Sequence, residues 1–196
     1  IDGWQDWQGA KMVLSGPPGA GKTHLTHVWA AASGAHILSA KDLDEKAVLD
    51  LSEGPVAIED VDQIARDAAH QTTLFHLHNA LQTARQPLLL TGTQSPSHWR
   101  MSLPDLQSRI DAAGHAALEA PDDRLLGAVV AKLFADRQLT PRPDVIPYLV
   151  THMERSFDAA RNIVARLDAA SLVRQKPITR ALAIDILHKA GQIDRA

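Results

Sequence analysis

Residues 16–23 of the chain read Gly-Pro-Pro-Gly-Ala-Gly-Lys-Thr and fit the pattern G-x-x-x-x-G-K-[ST], the phosphate-binding P-loop. This pattern constrains the fold because it functions between a buried strand and a helix. Both flanks match, since residues 11–15 form a short apolar run and residues 23–32 read as a helix that ends at Gly34. The sequence therefore predicts a nucleotide-phosphate site within an α/β fold.

Each part of the P-loop has a chemical task. Its backbone N–H groups surround the phosphates, and the helix that follows directs its positive dipole end toward them. The side chain of Lys22 places a positive charge beside the β- and γ-phosphates, and the hydroxyl of Thr23 ligates Mg²⁺. The predicted cofactor-binding residues are those of the loop and the residue after it: Gly16, Pro17, Pro18, Gly19, Ala20, Gly21, Lys22, Thr23 and His24.

Four further apolar runs follow the P-loop, and helical patterns separate most of them. Buried runs connected by helices are typical of a parallel sheet that is covered on both faces. We therefore predict a five-stranded parallel sheet in an α/β nucleotide-binding core over residues 1–120. The predicted strands are 11–15, 36–38, 56–60, 87–91 and 116–118, and the predicted helices between them are 23–32, 42–51, 72–85 and 103–110.

The pattern becomes purely helical after the Ala-Pro pair at residues 120–121. Asp122 and Ser156 are of the residue types that cap helix N-termini, and prolines fall between the helical segments, where they interrupt a helix at low cost. We predict a helical lid domain over residues 121–196. Its predicted helices are 122–137, 143–153, 156–173 and 180–189.

Two carboxylates, Glu59 and Asp60, end the third predicted strand. Ligands of parallel sheets gather at the carboxyl ends of the strands, so this pair is expected near the P-loop. One carboxylate can enter the Mg²⁺ shell and the other can orient an attacking water. The predicted metal ligands are Thr23, Glu59 and Asp60, and the alternative is a solvated acidic turn that includes Asp62.

The fourth predicted strand ends in a polar segment that contains Thr93. A polar side chain there can contact the γ-phosphate or the attacking water; the alternative is simply the start of a loop. Arg109 precedes the last strand and can stabilise a transferring phosphate in its own subunit or in a neighbour, while a solvated arginine is the alternative. In the lid, Arg161 is the candidate phosphate contact, and Arg155 and Arg166 compete for that role.

Composition excludes several functional classes. The net charge of −3 argues against general binding to the nucleic-acid backbone, and the absence of cysteine excludes disulfides. No apolar run is long enough to span a bilayer, and we expect a cytoplasmic protein. His24 and His27 are three residues apart but lack a third ligand of suitable spacing. Trp4 and Trp7 are spaced to share a helical face that covers the sheet, with stacking on a nucleotide base as the alternative.

Three segments, together with the P-loop and the helical lid, resemble the DnaA family of AAA+ ATPases over nearly the whole chain. They are Leu-Phe-His-Leu-His-Asn-Ala-Leu at 74–81, Gln-Pro-Leu-Leu-Leu-Thr at 86–91 and Leu-Gln-Ser-Arg-Ile at 106–110. The resemblance implies ADP or ATP as the cofactor, with Mg²⁺. It also implies that Arg109 is an arginine finger that acts on nucleotide bound to a partner, and that Thr93 occupies the first sensor position.

The end of the chain is most similar to truncated regulatory relatives within this family, at residues 167–172 and 177–179. These relatives imply two partners, DnaA and the DNA polymerase sliding clamp, and a role in promoting hydrolysis of the ATP on DnaA. The short glutamine-leucine peptide that binds the clamp in such relatives is not found in this sequence. A second copy of the chain is a further candidate partner, and no membrane is expected.

Two departures from the family pattern change the activities that we expect. The Glu-Asp order at residues 59–60 replaces the usual Asp-Asp or Asp-Glu, so weak intrinsic ATP hydrolysis is expected. Residues 39–54 are too few for the DNA-gripping insertion of DnaA, and no helix-turn-helix follows, so sequence-specific DNA binding is not expected. The competing prediction is a self-sufficient ATPase that resembles DnaA or a helicase loader, while a small-molecule kinase fits poorly.

Overall fold

The computed structural model describes residues 3–189, apart from the side chains of Gln8 and Arg174. Its five strands are β1 (Lys11–Ser15), β2 (His36–Ser39), β3 (Val56–Glu59), β4 (Leu88–Gly92) and β5 (Gly114–Ala117). All neighbouring strands are parallel, and the order across the sheet is β2-β3-β4-β1-β5. The predicted five-stranded parallel sheet is therefore confirmed, with β1 beside the centre.

Helices cover both faces of this sheet, because alternate residues of each strand point to opposite sides. The helices of this first compact unit are α1 (Lys22–Ser33), α2 (Val48–Leu51), α3 (Ala68–Thr83) and α4 (Pro104–Asp111). On one face, Val13, Ile58 and Leu90 join a large buried cluster that includes residues of α3 and α4. On the other face, Leu14 and Leu89 belong to a smaller buried cluster with Trp29 of α1.

Trp29 of α1 is fully buried on that second face and organises the segment before β1. The ring of Trp7 stacks on it at a centroid distance of 5.2 Å, and Trp4 meets it edge-on at 6.4 Å. The predicted shared helical face is replaced by two 3₁₀ turns, Trp4–Asp6 and Gln8–Ala10. The two tryptophans nevertheless contact the same buried ring, which anchors the chain entering β1.

The predicted helix over residues 42–51 is wrong in its first half. Residues 40–42 and 45–47 form separate 3₁₀ turns, and only Val48–Leu51 is α-helical. The side chains of Ser39 and Asp44 each accept a backbone N–H two residues later, so each starts a turn of its own. Leu43 between the turns is extended and 4% exposed, and its burial fixes the break.

The second compact unit begins at Ala120 and contains four helices, α5 (Asp123–Asp136), α6 (Val145–His152), α7 (Phe157–Arg174) and α8 (Arg180–Lys189). The predicted caps are confirmed: Asp122 accepts the N–H of Leu125 at 2.7 Å, and Ser156 accepts the N–H of Ala159 at 3.0 Å. The unit has its own buried cluster, which draws on all four helices. Among residues 3–189, none of the helices has the length and apolar character needed to cross a membrane.

Candidate functional site

The P-loop begins where three strands end. Ser15 is the last residue of β1, and its carbonyl accepts the N–H of Leu118 at 2.7 Å. The N–H of Gly16 donates to the carbonyl of Gly92, at the end of β4, at 3.2 Å. A Cβ atom at Gly16 would lie 2.6 Å from the carbonyl oxygen of Leu118. The first glycine of the motif is therefore required by the close approach of the chain that follows β5.

The end of the P-loop starts α1. Gly21 is the N-cap residue of this helix and has φ +97°, a left-handed conformation that glycine adopts without strain. The backbone N–H groups of the first helical turn consequently open toward the loop. Thr23 and His24 are exposed in this turn, so the Thr23 hydroxyl is accessible to a ligand. This is the arrangement that the motif predicts.

Lys22 is only 8% exposed, although it carries a full charge. Its Nζ donates to the carbonyl of Gly16 at 2.6 Å and to that of Pro17 at 3.1 Å. The ammonium therefore lies inside the curve of the loop, with a third N–H donor that these two bonds do not use. The loop thus concentrates a lysine charge and backbone donors in one place, as an anion such as a phosphate requires.

The predicted carboxylates lie at the same end of the sheet, one at the end of β3 and one just after it, and β4 separates β3 from β1. Glu59 is the last residue of β3, and its Oε1 is buried without a hydrogen-bond partner among the described residues. Asp60 adopts φ +57°, and its N–H donates to the hydroxyl of Thr91 at 3.1 Å. A buried carboxylate oxygen without a donor is costly, so the position favours a cation or an ordered water.

Asp62 is the site residue that sequence reasoning missed. Its Oδ2 accepts the backbone N–H of Thr93 at 2.9 Å and also the Thr93 hydroxyl. Its Oδ1 is buried and has no partner within residues 3–189. Asp62 therefore fixes the side chain of Thr93, the predicted first sensor. Its position three residues after Glu59 was visible in the sequence, but it did not distinguish Asp62 from a residue of a solvated acidic turn.

Arg109 lies far from this P-loop end. Its guanidinium stacks over the ring of Phe75 at 4.9 Å and donates to Oε1 of Gln82 at 3.3 Å. Within residues 3–189 it pairs with no carboxylate. It lines a cavity together with Lys11, the first residue of β1, and so lies toward the amino end of the sheet. The structure does not bring Arg109 together with the P-loop of the same chain.

The three candidate arginines of the second unit lie on α7 or just before it. Arg161 is about half exposed and pairs with Asp158 one turn earlier on the same helix. Arg155 pairs with Asp123 at 2.7 Å. Arg166 is half-buried. Two of the three are thus engaged by carboxylates within their own unit.

The described residues contain no group of three or more His, Asp or Glu side chains arranged to hold a metal ion by themselves. This agrees with the chemistry of Mg²⁺ at phosphate sites, where one or two carboxylates act together with phosphate oxygens and water. The unpartnered oxygen of Glu59 and the exposed hydroxyl of Thr23 are oxygen donors of the required kind. The donor set therefore fits Mg²⁺ that arrives with a nucleotide.

A comparison of the sequence with known protein families finds no match. Solved structures do match. Domain III of the Thermotoga maritima replication initiation protein DnaA is 17% identical, with a TM-score of 0.81, over 91% of this chain and 83% of that one. The replication initiator DnaA bound to AMPPCP and single-stranded DNA is 17% identical, with a TM-score of 0.72, over 89% of this chain.

An arginine-to-alanine variant of Thermotoga maritima RuvB is 18% identical, with a TM-score of 0.73, over 91% of this chain. The chain spans 61% of the length of that RuvB and of the nucleotide-bound DnaA. At these identities the likeness establishes the fold. The chain has the α/β fold of the AAA+ ATPase domains of DnaA and RuvB, as the sequence predicts.

Proposed function

We propose that this AAA+ chain is a nucleotide-bound regulator of the Hda type, a relative of the initiator DnaA. In this proposal it promotes hydrolysis of the ATP bound to DnaA, together with the sliding clamp, and so represses replication initiation. The observation that carries the proposal is Arg109. Its guanidinium has no carboxylate partner within residues 3–189 and lies at the end of the sheet opposite the chain's own P-loop.

The nucleotide is ADP or ATP, held by the P-loop. The nucleotide-bound DnaA structure supports this assignment because it has the same fold and contains AMPPCP. On binding, the Nζ of Lys22 exchanges its two carbonyl contacts for phosphate oxygens, which are stronger, charge-assisted acceptors. Arg161 remains the candidate from the second unit, and it would have to leave Asp158 to contact a phosphate.

Mg²⁺ accompanies the nucleotide and neutralises charge on the phosphate oxygens. Thr23, Glu59 and Asp60 are the residues proposed to hold it, directly or through water. Glu59 is the strongest of these, since its buried oxygen has no donor among the described residues. Asp62 holds Thr93 by two hydrogen bonds and thereby fixes the direction in which the sensor side chain points.

Arg109 acts in trans. Its planar guanidinium stacks over Phe75, which limits its orientation while leaving most of its five N–H donors unused. Placed against the nucleotide of DnaA, these donors stabilise the charge that develops on the γ-phosphate in the transition state. Without such a partner the chain's own hydrolysis is weak, because its own arginine cannot reach its own P-loop.

The partners follow from the same proposal. They are DnaA and the sliding clamp, and a second copy of the chain is an additional candidate. The acidic net charge supports the absence of sequence-specific duplex binding. In this proposal the chain acts with these partners in the cytoplasm.

One observation favours a second candidate, a self-sufficient DnaA-like or helicase-loader-like ATPase. The carboxyl end of the sheet holds the P-loop lysine, Glu59 and the Asp62–Thr93 pair, so one chain carries most parts of a hydrolytic site. Such an enzyme would hydrolyse ATP without a different protein, because another copy of the chain would supply the arginine. Stimulation of this hydrolysis by DNA would distinguish it from the regulator.

The test is to mix the protein with DnaA loaded with labelled ATP, the clamp and DNA, and to follow loss of ATP from DnaA. We expect faster loss only when all components are present, with little turnover by the protein alone. Omission of the clamp is the first control. Unchanged DnaA-bound ATP, combined with brisk DNA-stimulated turnover of the protein's own ATP, would overturn the proposal in favour of the second candidate.

A further inference from the structure

A cavity of about 280 Å³ lies at the amino end of the sheet, away from the P-loop. Its polar lining comes from Lys11 of β1, His78 and Gln82 of α3, and Arg109 of α4, and its remaining walls are glycine and alanine residues. Lys11 begins β1 and Ser15 ends it, so the cavity and the P-loop are about 13 Å apart along the strand. No part of the P-loop contributes to it.

The two cations of this cavity lack counter-charges. Lys11 is 6% exposed, and its Nζ donates one hydrogen bond, to the carbonyl of Gln86 at 3.0 Å. Arg109 donates one hydrogen bond, to Gln82 at 3.3 Å. Within residues 3–189 neither forms a salt bridge. Burial of an unpaired ammonium is costly, and it lowers the pKa of Lys11 to about 8.

The third group is His78, which is also 6% exposed. Its Nδ1 is buried and has no hydrogen-bond partner among the described residues. Burial, reinforced by the charges of Lys11 and Arg109, lowers the pKa of His78 to about 4. At neutral pH the ring is therefore uncharged, and the tautomer with a proton on Nδ1 offers one more unused donor. Lys11, Arg109 and the Nδ1 of His78 thus share one cavity whose lining contains no carboxylate.

We propose that this cavity is a binding site for a phosphate group, held by Lys11, Arg109 and His78. The charges are complementary, because a phosphate monoester carries about −1.5 to −2 at pH 7 and the two cations carry opposite charge. An arginine fork and a lysine ammonium are the side chains that proteins use for such oxyanions. The ligand is either the free ion or a phosphate ester. The site is separate from the chain's own P-loop, and it shares Arg109 with the proposed contact to the nucleotide of DnaA.

The test follows the imidazole signal of His78 by NMR in histidine-labelled full-length protein. The signal is assigned with the variant His78→Gln, which removes one of the ten histidines. Inorganic phosphate is titrated at constant ionic strength against chloride, with the P-loop saturated by ADP. We expect a saturable shift of the His78 signal and a rise in its pKa, because the bound anion offsets the neighbouring cations.

A repeat with the P-loop variant Lys22→Ala separates the two sites. If the P-loop does not bind ADP, the proposed function fails, yet the response of His78 in Lys22→Ala remains. A parallel titration with phenyl phosphate identifies the source of the group. Saturation by both ligands assigns an ester site, saturation by inorganic phosphate alone assigns the free ion, and saturation by neither overturns the proposal.

Two variants and one control test the assigned residues. Lys11→Met and Arg109→Gln should each weaken phosphate binding about tenfold or more, as expected for loss of a charge-assisted contact. Lys132→Met is the matched control, because that lysine pairs with Asp136 in the second unit, and it should bind phosphate like the wild type. If Lys11→Met does not fold, Arg109→Gln, on the surface of α4, decides alone. Wild-type affinity in the variants that fold would overturn the proposal.

Discussion

The two ends of the parallel sheet differ in which polar groups lack a partner. At the carboxyl end, buried oxygens of Glu59 and Asp62 lack donors among the described residues, and the P-loop carbonyls hold the ammonium of Lys22 at the same end of the sheet. At the amino end, Lys11 and Arg109 have no carboxylate partner and the Nδ1 of His78 has no hydrogen-bond partner among the described residues. The same few strands therefore separate a place suited to a cation with a nucleotide from a place suited to an anion.

This difference shows how one sheet can present a nucleotide and cation site at one end and an anion site at the other. Buried polar groups are usually hydrogen-bonded, so a donor or acceptor without a partner indicates the kind of ligand that its position favours. A five-residue strand keeps the two ends about 13 Å apart. Changes at one end should consequently leave the chemistry of the other end unaltered.

The largest expected effect follows Arg109→Ala. If Arg109 acts in trans, the variant should lose the stimulation of DnaA-bound ATP hydrolysis by about 10³-fold or more, the usual contribution of an arginine finger. Its own affinity for ADP should be unchanged, because the P-loop is at the other end of the sheet. Arg109→Lys should fail to restore the rate, since an ammonium lacks the planar fork. Labelled ATP on DnaA reports the rate, and calorimetry reports ADP affinity.

The opposite result would contradict the separation of the two ends. Weaker ADP binding by Arg109→Ala, with normal stimulation of DnaA, would mean that the arginine serves its own P-loop. The two ends would then form one site, and the proposed regulator would lose the residue on which its activity depends.

Lys22→Ala tests the carboxyl end. Removing a charge-assisted contact should cost about 1.5–3 kcal/mol of ADP affinity, or roughly ten- to 150-fold. The control is Lys132→Ala, which removes an exposed lysine of the second unit. Calorimetry with both variants is the measurement. Equal ADP affinity for Lys22→Ala and wild type would exclude the P-loop as the nucleotide site.

The two ends also differ in how far the sequence predicts them. The carboxyl end is predicted in detail, because the P-loop is a local pattern of eight consecutive residues whose spacing fixes its geometry. Glu59 follows from its place at the end of an apolar run. Asp62 could not be separated from a solvated acidic turn, since its bonds to Thr93 join residues 31 positions apart.

The amino end could not be predicted from the sequence. Lys11 belongs to the run of residues that predicts β1, and His78 lies on a predicted helix whose histidines lack the spacing of metal ligands. Neither residue can therefore be recognised from the sequence as a binding residue. Arg109 joins them only because α3 and α4 pack on the same face of the sheet. Similarly, β5 begins at Gly114 rather than at residue 116. Its start is set by the pairing of Gly114 with Met12 of β1, which the apolar pattern of the sequence does not show.

Gly92→Ala tests how the carboxyl end is held together. A Cβ at this position would lie 2.5 Å from the ring of Trp99, which is 3% exposed and bonded through Nε1 to the carbonyl of Gln94 at 2.8 Å. Because the ring cannot move freely, we expect the free energy of unfolding to fall by about 1–3 kcal/mol. Denaturant unfolding measures this.

The matched control is Gly54→Ala, where no atom lies within 4 Å of the added Cβ. It should leave the unfolding midpoint near that of the wild type. The Gly92 carbonyl accepts the N–H of Gly16, so Gly92→Ala should also weaken ADP binding while the response of His78 to phosphate stays normal. Equal stability of the two variants would contradict the close packing at this strand end.

The last expected effect concerns the pH dependence of stability at the amino end. Burial, and then the charges of Lys11 and Arg109, lower the pKa of His78 from 6.5 to about 4 in the folded protein. Between these two values the unfolded chain binds a proton that the folded chain does not, so stability rises with pH through this window. Below pH 4 both states are protonated, and above 6.5 neither is.

His78→Gln should flatten this rise by at most about 1.4 kcal/mol per pH unit, the contribution of a single proton. The control is His36→Gln, which changes an exposed histidine on β2. Unfolding in denaturant is measured from pH 4 to 6.5 in phosphate-free buffer, because bound phosphate would offset the neighbouring cations and raise the pKa of His78. A slope for His78→Gln equal to that of wild type and of His36→Gln would show that burial and the neighbouring cations do not lower the pKa of His78.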